Sequence, residues 1–448
     1  MLKLSNIFFV LACMIFFSLD SAWSVQVGGA SDTSEANESA PGSDHYRQFA
    51  DVFERDTLTG DWGGLRTRLK EYGVTISPRL TQFYQGLTAG KGNKQFEYGS
   101  KADVLVNVEL EKLGLWKGLS VTTHIEYNFG QSVNGRGGTM VPVNTALQFP
   151  GMVDEEAFDV SSVYVRQTIG DSFSIIAGKI NIVDLAATKP FMGGAGINSF
   201  WNSSFAAPPS GTVPPYLFGA MFSVRTDPAV FGLWIYDPNS VVNQTGFERP
   251  FRDGVTFRGT VDFPVSIAGL SGHQGVVALY STKDGRDISS MDQTLILPRL
   301  RRDTVGMKDS RYYFAYTFDQ FLYQSPTNSE EGVGIFGQFG ISDGNPNRLY
   351  WSALTGLGGT GLIPSRSRDT WGVGFYYDVL SPFLQDAIDT STPGFEPKLV
   401  IRDEYGGEVF YNFSVTRWLD IGADLQVARP FQEKTPAVYF GMRTVIRF

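Results

Sequence analysis

The sequence predicts an all-β chain, a transmembrane antiparallel β-barrel of 16 strands preceded by a short N-terminal helix. Three observations carry that prediction. Segments in which apolar and polar residues alternate recur from residue 74 to the last residue, Phe448, and a period of two marks a strand with one dry and one wet face. The segments come as pairs joined by very short turns, while long Gly-, Pro- and Asn-rich stretches separate one pair from the next, the loop asymmetry of outer-membrane barrels. The final stretch, AVYFGMRTVIRF over 437–448, alternates to its end, with Val438, Phe440, Met442, Thr444, Ile446 and Phe448 on one face. A barrel needs such a last strand, because an open edge would leave backbone amides unsatisfied in hydrocarbon. Phe448 is therefore the expected barrel-closing residue.

Composition agrees. Of 448 residues, 14% are aromatic and 50 are glycine, and the mean hydropathy is -0.10. That average excludes a bundle of membrane helices, and beyond the N-terminus no run of about 18 uncharged apolar residues exists. A barrel can still cross a bilayer on it, because lumen-facing residues offset lipid-facing ones. The net charge of -9 argues against nucleic acid as a partner.

Taken in order, the elements begin with an export signal over residues 1–24. Lys3 precedes the apolar IFFVLACMIFFSL of 7–19, and Ala22 and Ser24 supply the small residues before cleavage. The rival reading is a lipoprotein signal ending at Cys13, with a short apolar stretch and a loose fit at Leu11 and Ala12. Cys13 is the only cysteine, so the mature chain is expected to hold no disulfide. Residues 25–57 form a small, polar, acidic leader, expected to be disordered in part. Residues 58–73, LTGDWGGLRTRLKEYG, read as a short amphipathic helix at the barrel mouth. Asp61 is placed to cap it, Leu65 and Leu69 share a face, and Gly73 suits a left-handed position past Tyr72.

The barrel is expected over 74–448. Fifteen strand candidates are legible, over 74–85, 103–112, 119–129, 158–169, 172–182, 217–225, 230–237, 254–263, 274–282, 310–323, 332–341, 370–380, 397–413, 418–427 and 437–448. Single-chain bacterial barrels have even strand numbers, so a sixteenth is expected that the pattern does not reveal. Segments 184–216, 283–309 and 343–368 read as long loops. Aromatic residues gather near strand ends, as in RYYFAYTFDQFLY (311–323) and WGVGFYYDVL (371–380), where a girdle at the lipid interface places them.

Several of these stretches carry a resemblance. LTGDWGGLRTRL (58–69) with YGVTISPRLTQFYQG (72–86) resembles the N-terminal signature of the carbohydrate-selective porins, the OprB family. IIAGKINIVD, WIYDPN, PFRDGVTFRG, YYFAYTFDQFLY, GGEVFYNFSVTRWLDIGADLQVARP and VYFGMRTVIRF are similar to later family blocks and stand in the family's order, so the likeness covers about 58–448. The resemblance implies a 16-stranded porin in a Gram-negative outer membrane, passing small sugars such as glucose by diffusion. It also implies that the assembly machinery reads the C-terminal strand. Periodicity predicts the barrel; only the resemblance brings in the sugar.

Sugar passage calls for hydrogen-bonding pairs and aromatic faces, arranged so that binding is weak and repeated. Inward parity nominates Arg79, Glu109, His124, Glu126, Arg166, Trp234, Arg258, Asp319, Glu408, Asn412, Asp424, Gln426 and Arg443 as the sugar pathway. Trp201 joins them from GGAGINSFWNSSFAAPP, a loop long enough to fold inward. For each, the bland alternative is a scaffold charge that pairs with a neighbour or holds an inward loop. Both signs of charge appear on one face, which suits polar neutral solutes better than simple ions.

Other classes are weighed against this. A general or anion-selective porin would need cations to outnumber carboxylates in the lumen, and the nominated set shows no such excess. A secreted β-rich glycosidase would need a carboxyl pair at a defined separation, and no pair stands out. Zinc would need clustered His or Cys, but His45, His124 and His273 lie far apart in sequence. The glycines of GGAG (193–196) and GVGIFGQFG (332–340) precede no convincing helix and are read as relieving crowding inside a barrel. No cofactor is called for. The basic stretch LPRLRRD within 286–303 could meet lipopolysaccharide phosphates, and the pattern leaves a monomer and a homotrimer equally open.

Overall fold

The computed structural model describes residues 52–448 apart from 211, 291–305, 327, 330, 362, 364 and 392–399. The expected export signal, the leader as far as residue 51 and most of the basic 286–303 stretch lie outside the described residues.

Sixteen strands close into one antiparallel barrel: β1 (Val74–Ala89), β2 (Phe96–Glu109), β3 (Leu119–Gly130), β4 (Glu156–Ile169), β5 (Phe173–Asn181), β6 (Tyr216–Arg225), β7 (Val230–Tyr236), β8 (Thr256–Ile267), β9 (Leu270–Ser281), β10 (Arg311–Gln324), β11 (Gly332–Ser342), β12 (Leu349–Thr360), β13 (Thr370–Leu380), β14 (Glu404–Ser414), β15 (Leu419–Arg429) and β16 (Ala437–Arg447). Each pairs with its chain neighbours, and β16 pairs with β1 in a register that sets Arg79 opposite Arg447. The Phe448 amide then donates to the Pro78 carbonyl at 3.1 Å, which carries the closing seam to that residue.

The strand the pattern missed is β12, inside the stretch expected to be a 343–368 loop. Its sequence LYWSALTGLGGT places Gly356, Gly358 and Gly359 where side chains would have shown the alternation. Those glycines answer to packing. A Cβ on Gly356 would stand 2.5 Å from the Phe336 ring, and one on Gly358 would stand 2.9 Å from the Phe191 carbonyl. Other boundaries shift by several residues: β1 runs on to Ala89, and β2 begins at Phe96, β9 at Leu270 and β14 at Glu404.

At the short-turn rim lies helix α1 (Leu65–Glu71), shorter than the 58–73 stretch expected. Asp61 does not occupy the N-cap, because a 3₁₀ turn, Trp62–Gly64, intervenes and puts left-handed Gly64 there. The Asp61 carboxylate instead reaches into the first turn, accepting from the Thr67 amide at 2.8 Å and from its hydroxyl. Gly73 does take the left-handed conformation, at φ 85°, and a Cβ there would meet the Glu109 carbonyl at 2.7 Å. The Arg66 guanidinium donates to backbone oxygens of Phe448 (2.6 Å) and Ile76 (3.0 Å). This segment therefore pins the β1–β16 seam.

The outer wall is apolar. Tyr84, Val163, Leu233, Phe314, Phe375, Val409 and Phe440 are exposed on it, and rings of Trp351, Tyr377 and Tyr405 stack across three strands at 5.4 Å. The densest packing is inside. The segment between β3 and β4, and the one between β5 and β6 that carries α2 (Ile182–Ala186) and α3 (Ser203–Ala206), fold into the barrel. Val141, Met192, Phe200 and Phe205 from these segments pack on Phe336, Leu354, Tyr376 and Phe410 of β11–β14. Gly372 and Gly374 of β13 make room for them, since Cβ atoms there would lie 2.7 Å from Phe200 and 2.6 Å from Phe205.

Candidate functional site

Apolar rings dock the inward segments, and buried polar groups fix them. The Glu404 carboxylate accepts from the amides of Met140 (2.5 Å) and Val141 (3.0 Å). Four residues further along β14, Glu408 accepts from the amides of Trp201 (2.5 Å) and Asn202 (2.9 Å). Gln426 donates to the Val143 carbonyl and to Asp424, both at 2.8 Å, and accepts from Asn202. Arg443 donates to the Gly196 carbonyl (2.8 Å), the Ser199 carbonyl (3.0 Å) and Asn412 Oδ1 (2.7 Å). Asn412 in turn donates to the Asn198 carbonyl at 2.9 Å. Backbone groups that no helix or strand satisfies thus find partners on the wall, as buried polar groups must.

This corrects part of the nominated pathway. Glu408, Asn412, Asp424, Gln426 and Arg443 do face inward, but they are buried beneath or bonded to the inward segments. Trp201 is 0% exposed, edge-on to Phe83 at 5.1 Å and capped by the Arg443 guanidinium 5.0 Å from its ring. A solute cannot reach it. Glu126 is likewise buried, in an ion pair with Lys101 and bonded to Tyr216 (2.8 Å) and Asn181 (3.2 Å). Parity told inward from outward but could not tell wall that faces solvent from wall covered by a loop.

A second group forms a chain across β1–β3. Arg79 forks onto Asp103 at 2.9 and 3.1 Å. His124 bridges Asp103 (3.3 Å) and Asp184 of α2 (2.8 Å). Arg79 keeps 23% of its side chain exposed, Asp184 32%. Glu109 and Arg166 stand apart from all of these near the short-turn rim, where Glu109 pairs with Lys112 at 2.9 Å and Arg166 sits opposite Ser120 and Ile176.

The third group lines the wall of β7–β10, where Ile182, Leu185 and Val213 of the inward segment pack among Tyr236, Leu279 and Tyr313 and leave Trp234 and Arg258 half-buried. Trp234 and Arg258 are direct cross-strand partners, and the guanidinium lies 3.9 Å from the ring centroid. Four residues further along β8 is Asp262, given room by Gly275 opposite. Asp319 of β10 bonds His273 at 2.9 Å. Facing them from the inward segment is Lys189, exposed, and within electrostatic reach of Arg258, Asp262 and Asp319. Lys189 and Asp262 were missed by sequence reading. Lys189 lies in a loop without period, and Asp262 would have been found by extending the inward parity of Arg258 by four.

A closed 16-strand barrel with apolar outer wall, charged lumen and inward segments that narrow it defines an outer-membrane porin. The chain belongs to the carbohydrate-selective porin family, OprB, whose family model matches residues 93–448. Among solved structures, a high-pH structure of Pseudomonas putida OprB is similar with a TM-score of 0.75 at 17% identity, covering 88% of this chain and 99% of that one. A low-pH structure of the same protein gives 0.54 at 16% identity over the same shares. The outer membrane channel DcaP of Acinetobacter baumannii gives 0.48 at 9% identity, over 84% of this chain and 97% of that one. No curated protein sequence matches the chain significantly.

Proposed function

We propose that this porin passes small sugars along the β7–β10 wall, with Trp234 and Arg258 as platform and Asp262, Asp319 and Lys189 as hydrogen-bonding partners. The observation that carries the reading is the Trp234–Arg258 stack set beside carboxylates of one wall and an ammonium from the opposite side. A pyranose has apolar C–H faces that an aromatic ring accepts and hydroxyl groups that both give and take hydrogen bonds. Successive mixed-sign contacts hold it weakly enough to leave, which passage requires. Arg79 and Asp184, partly exposed, extend the polar lining toward β1. The fold and family indicate a channel, and diffusion through it calls for positioning groups alone. On the same reading the ringed outer wall contacts lipid, and the terminal strand is the segment the assembly machinery engages.

The test is single-channel conductance in planar bilayers, titrated with glucose, maltose and phosphate on each side. Concentration-dependent block by a sugar, with phosphate inert, supports the reading. Conductance without sugar block would reduce the protein to a general porin.

A further inference from the structure

We propose that the channel favours monosaccharides bearing a carboxylate, of the uronate type, over their neutral counterparts, and that arginine-lined chambers on both sides of the constriction select them. The proposal rests on the sugar-pathway reading and extends it to a substrate class.

On the long-loop side, a cavity of about 500 Å³ is lined by Arg286, Arg311 and Arg348, with Ser203, Asn347 and the inward residues Met140 and Val141. No carboxylate lines it among the described residues. Two acids of these loops hydrogen-bond elsewhere, although Asp343 stays within electrostatic reach of Arg311. Asp287 accepts from Ser289 and Asn345, and Asp343 accepts from the amides of Tyr312, Asn345 and Asn347. Arg286 and Arg348 are exposed. On the short-turn side, a cavity of about 380 Å³ is lined by Arg79, Arg368, Arg417 and Arg447 against one carboxylate, Asp420. Asn198, Thr370, Asn412 and Ser414 complete it with amide and hydroxyl groups. Arg79, Arg417 and Arg447 are in ion pairs with Asp103, Asp56 and Asp420, whereas Arg368 is exposed and, among the described residues, has no ion-pair partner.

In a chain of net charge -9, two cation-rich chambers on the solute's route are not what composition alone would produce. Guanidinium forks match a carboxylate in shape and charge, while the amides and hydroxyls suit ring hydroxyl groups. Low-dielectric walls focus such a field and raise the local concentration of a solute of opposite sign. Along the β7–β10 wall, Lys189 and Arg258 face Asp262 and Asp319, so that stretch carries no net charge to turn back a monoanion.

Glucose and glucuronate share a ring and differ at one carbon, which makes them the discriminating pair. Permeation into liposomes and block of single-channel current are measured for both with the purified protein at 0.1 M salt, with acetate as a third arm. Glucuronate is expected to enter on the order of tenfold faster than glucose. The ratio is expected to fall toward one in Arg348→Gln and Arg368→Gln, and in the native chain at 1 M salt, where screening acts within about 3 Å. Heat-modifiable migration confirms that each variant is folded. A native ratio of one or less, with glucose still blocking, overturns the carboxylate preference and leaves the sugar pathway standing. Acetate competing as well as glucuronate overturns it too, in favour of a plain anion filter. Entry of neither sugar overturns both readings.

Discussion

Replacing Arg443 by methionine separates a loop anchor from a solute contact. Arg443 holds the inward segment through two carbonyls, of Gly196 and Ser199, and through Asn412, while its guanidinium covers Trp201. Methionine has a similar reach, fills much of the same volume and donates nothing. Hydrogen bonds from a charged donor contribute about 1.5–3 kcal/mol each. The two to the segment at the lower figure amount to about 3 kcal/mol, or on the order of a hundredfold in the population of a detached segment. The carbonyls left behind are buried and unpaired, which adds to the cost. Single-channel recording of Arg443→Met should show larger conductance and more current noise, and limited proteolysis should cut within 194–202, which the native barrel protects. Arg443→Lys, keeping one donor group, should fall between. Native conductance, noise and protease resistance combined with weaker sugar block would refute the anchor assignment and return Arg443 to the solute path.

Trp234→Ala should weaken glucose block about two- to thirtyfold while leaving conductance at or above the native level, since the ring contact that holds the guanidinium in place contributes about 0.5–2 kcal/mol and its loss widens the passage; titration of the blocked current checks it. Gly73→Ala should lower the temperature of heat-modified migration, because the left-handed conformation costs about 1–2 kcal/mol for a residue with a Cβ and that atom would press on the Glu109 carbonyl. Arg66→Ala should lower the same temperature by releasing the β1–β16 seam, with sugar block unaffected. Hydrogen bonds from Asn345 and Ser289 hold the Asp287 carboxyl below the usual carboxylate range. A depressed value stabilises the tie between the two long loops above the ordinary carboxylate pKa, and the tie is lost as pH falls through the depressed one. Hydrogen exchange of the 287–290 amides should therefore accelerate as pH drops below about 4, after correction for intrinsic rates, and Asp287→Asn should abolish that step.

Much of the barrel was determined by the sequence alone. Alternation along 119–129 or 437–448 is a local property, since successive side chains of any strand point to opposite faces, and closure follows from the need to satisfy edge amides in lipid. The same logic placed Trp234, Arg258 and Asp319 on the inner face. Where glycine replaces the side chains that would report the period, as in Gly356–Gly359 of β12, the local signal vanishes, although those glycines exist because distant rings press on them. Only the tertiary structure decided which inward residues meet solute. Glu408, Gln426 and Arg443 alternate as faithfully as Arg258 does, yet the inward segments bury the first three and leave the last half-exposed. That outcome depends on which wall the phenylalanines at 200 and 205 dock against, a contact between residues more than a hundred positions apart, which no periodicity within a strand records.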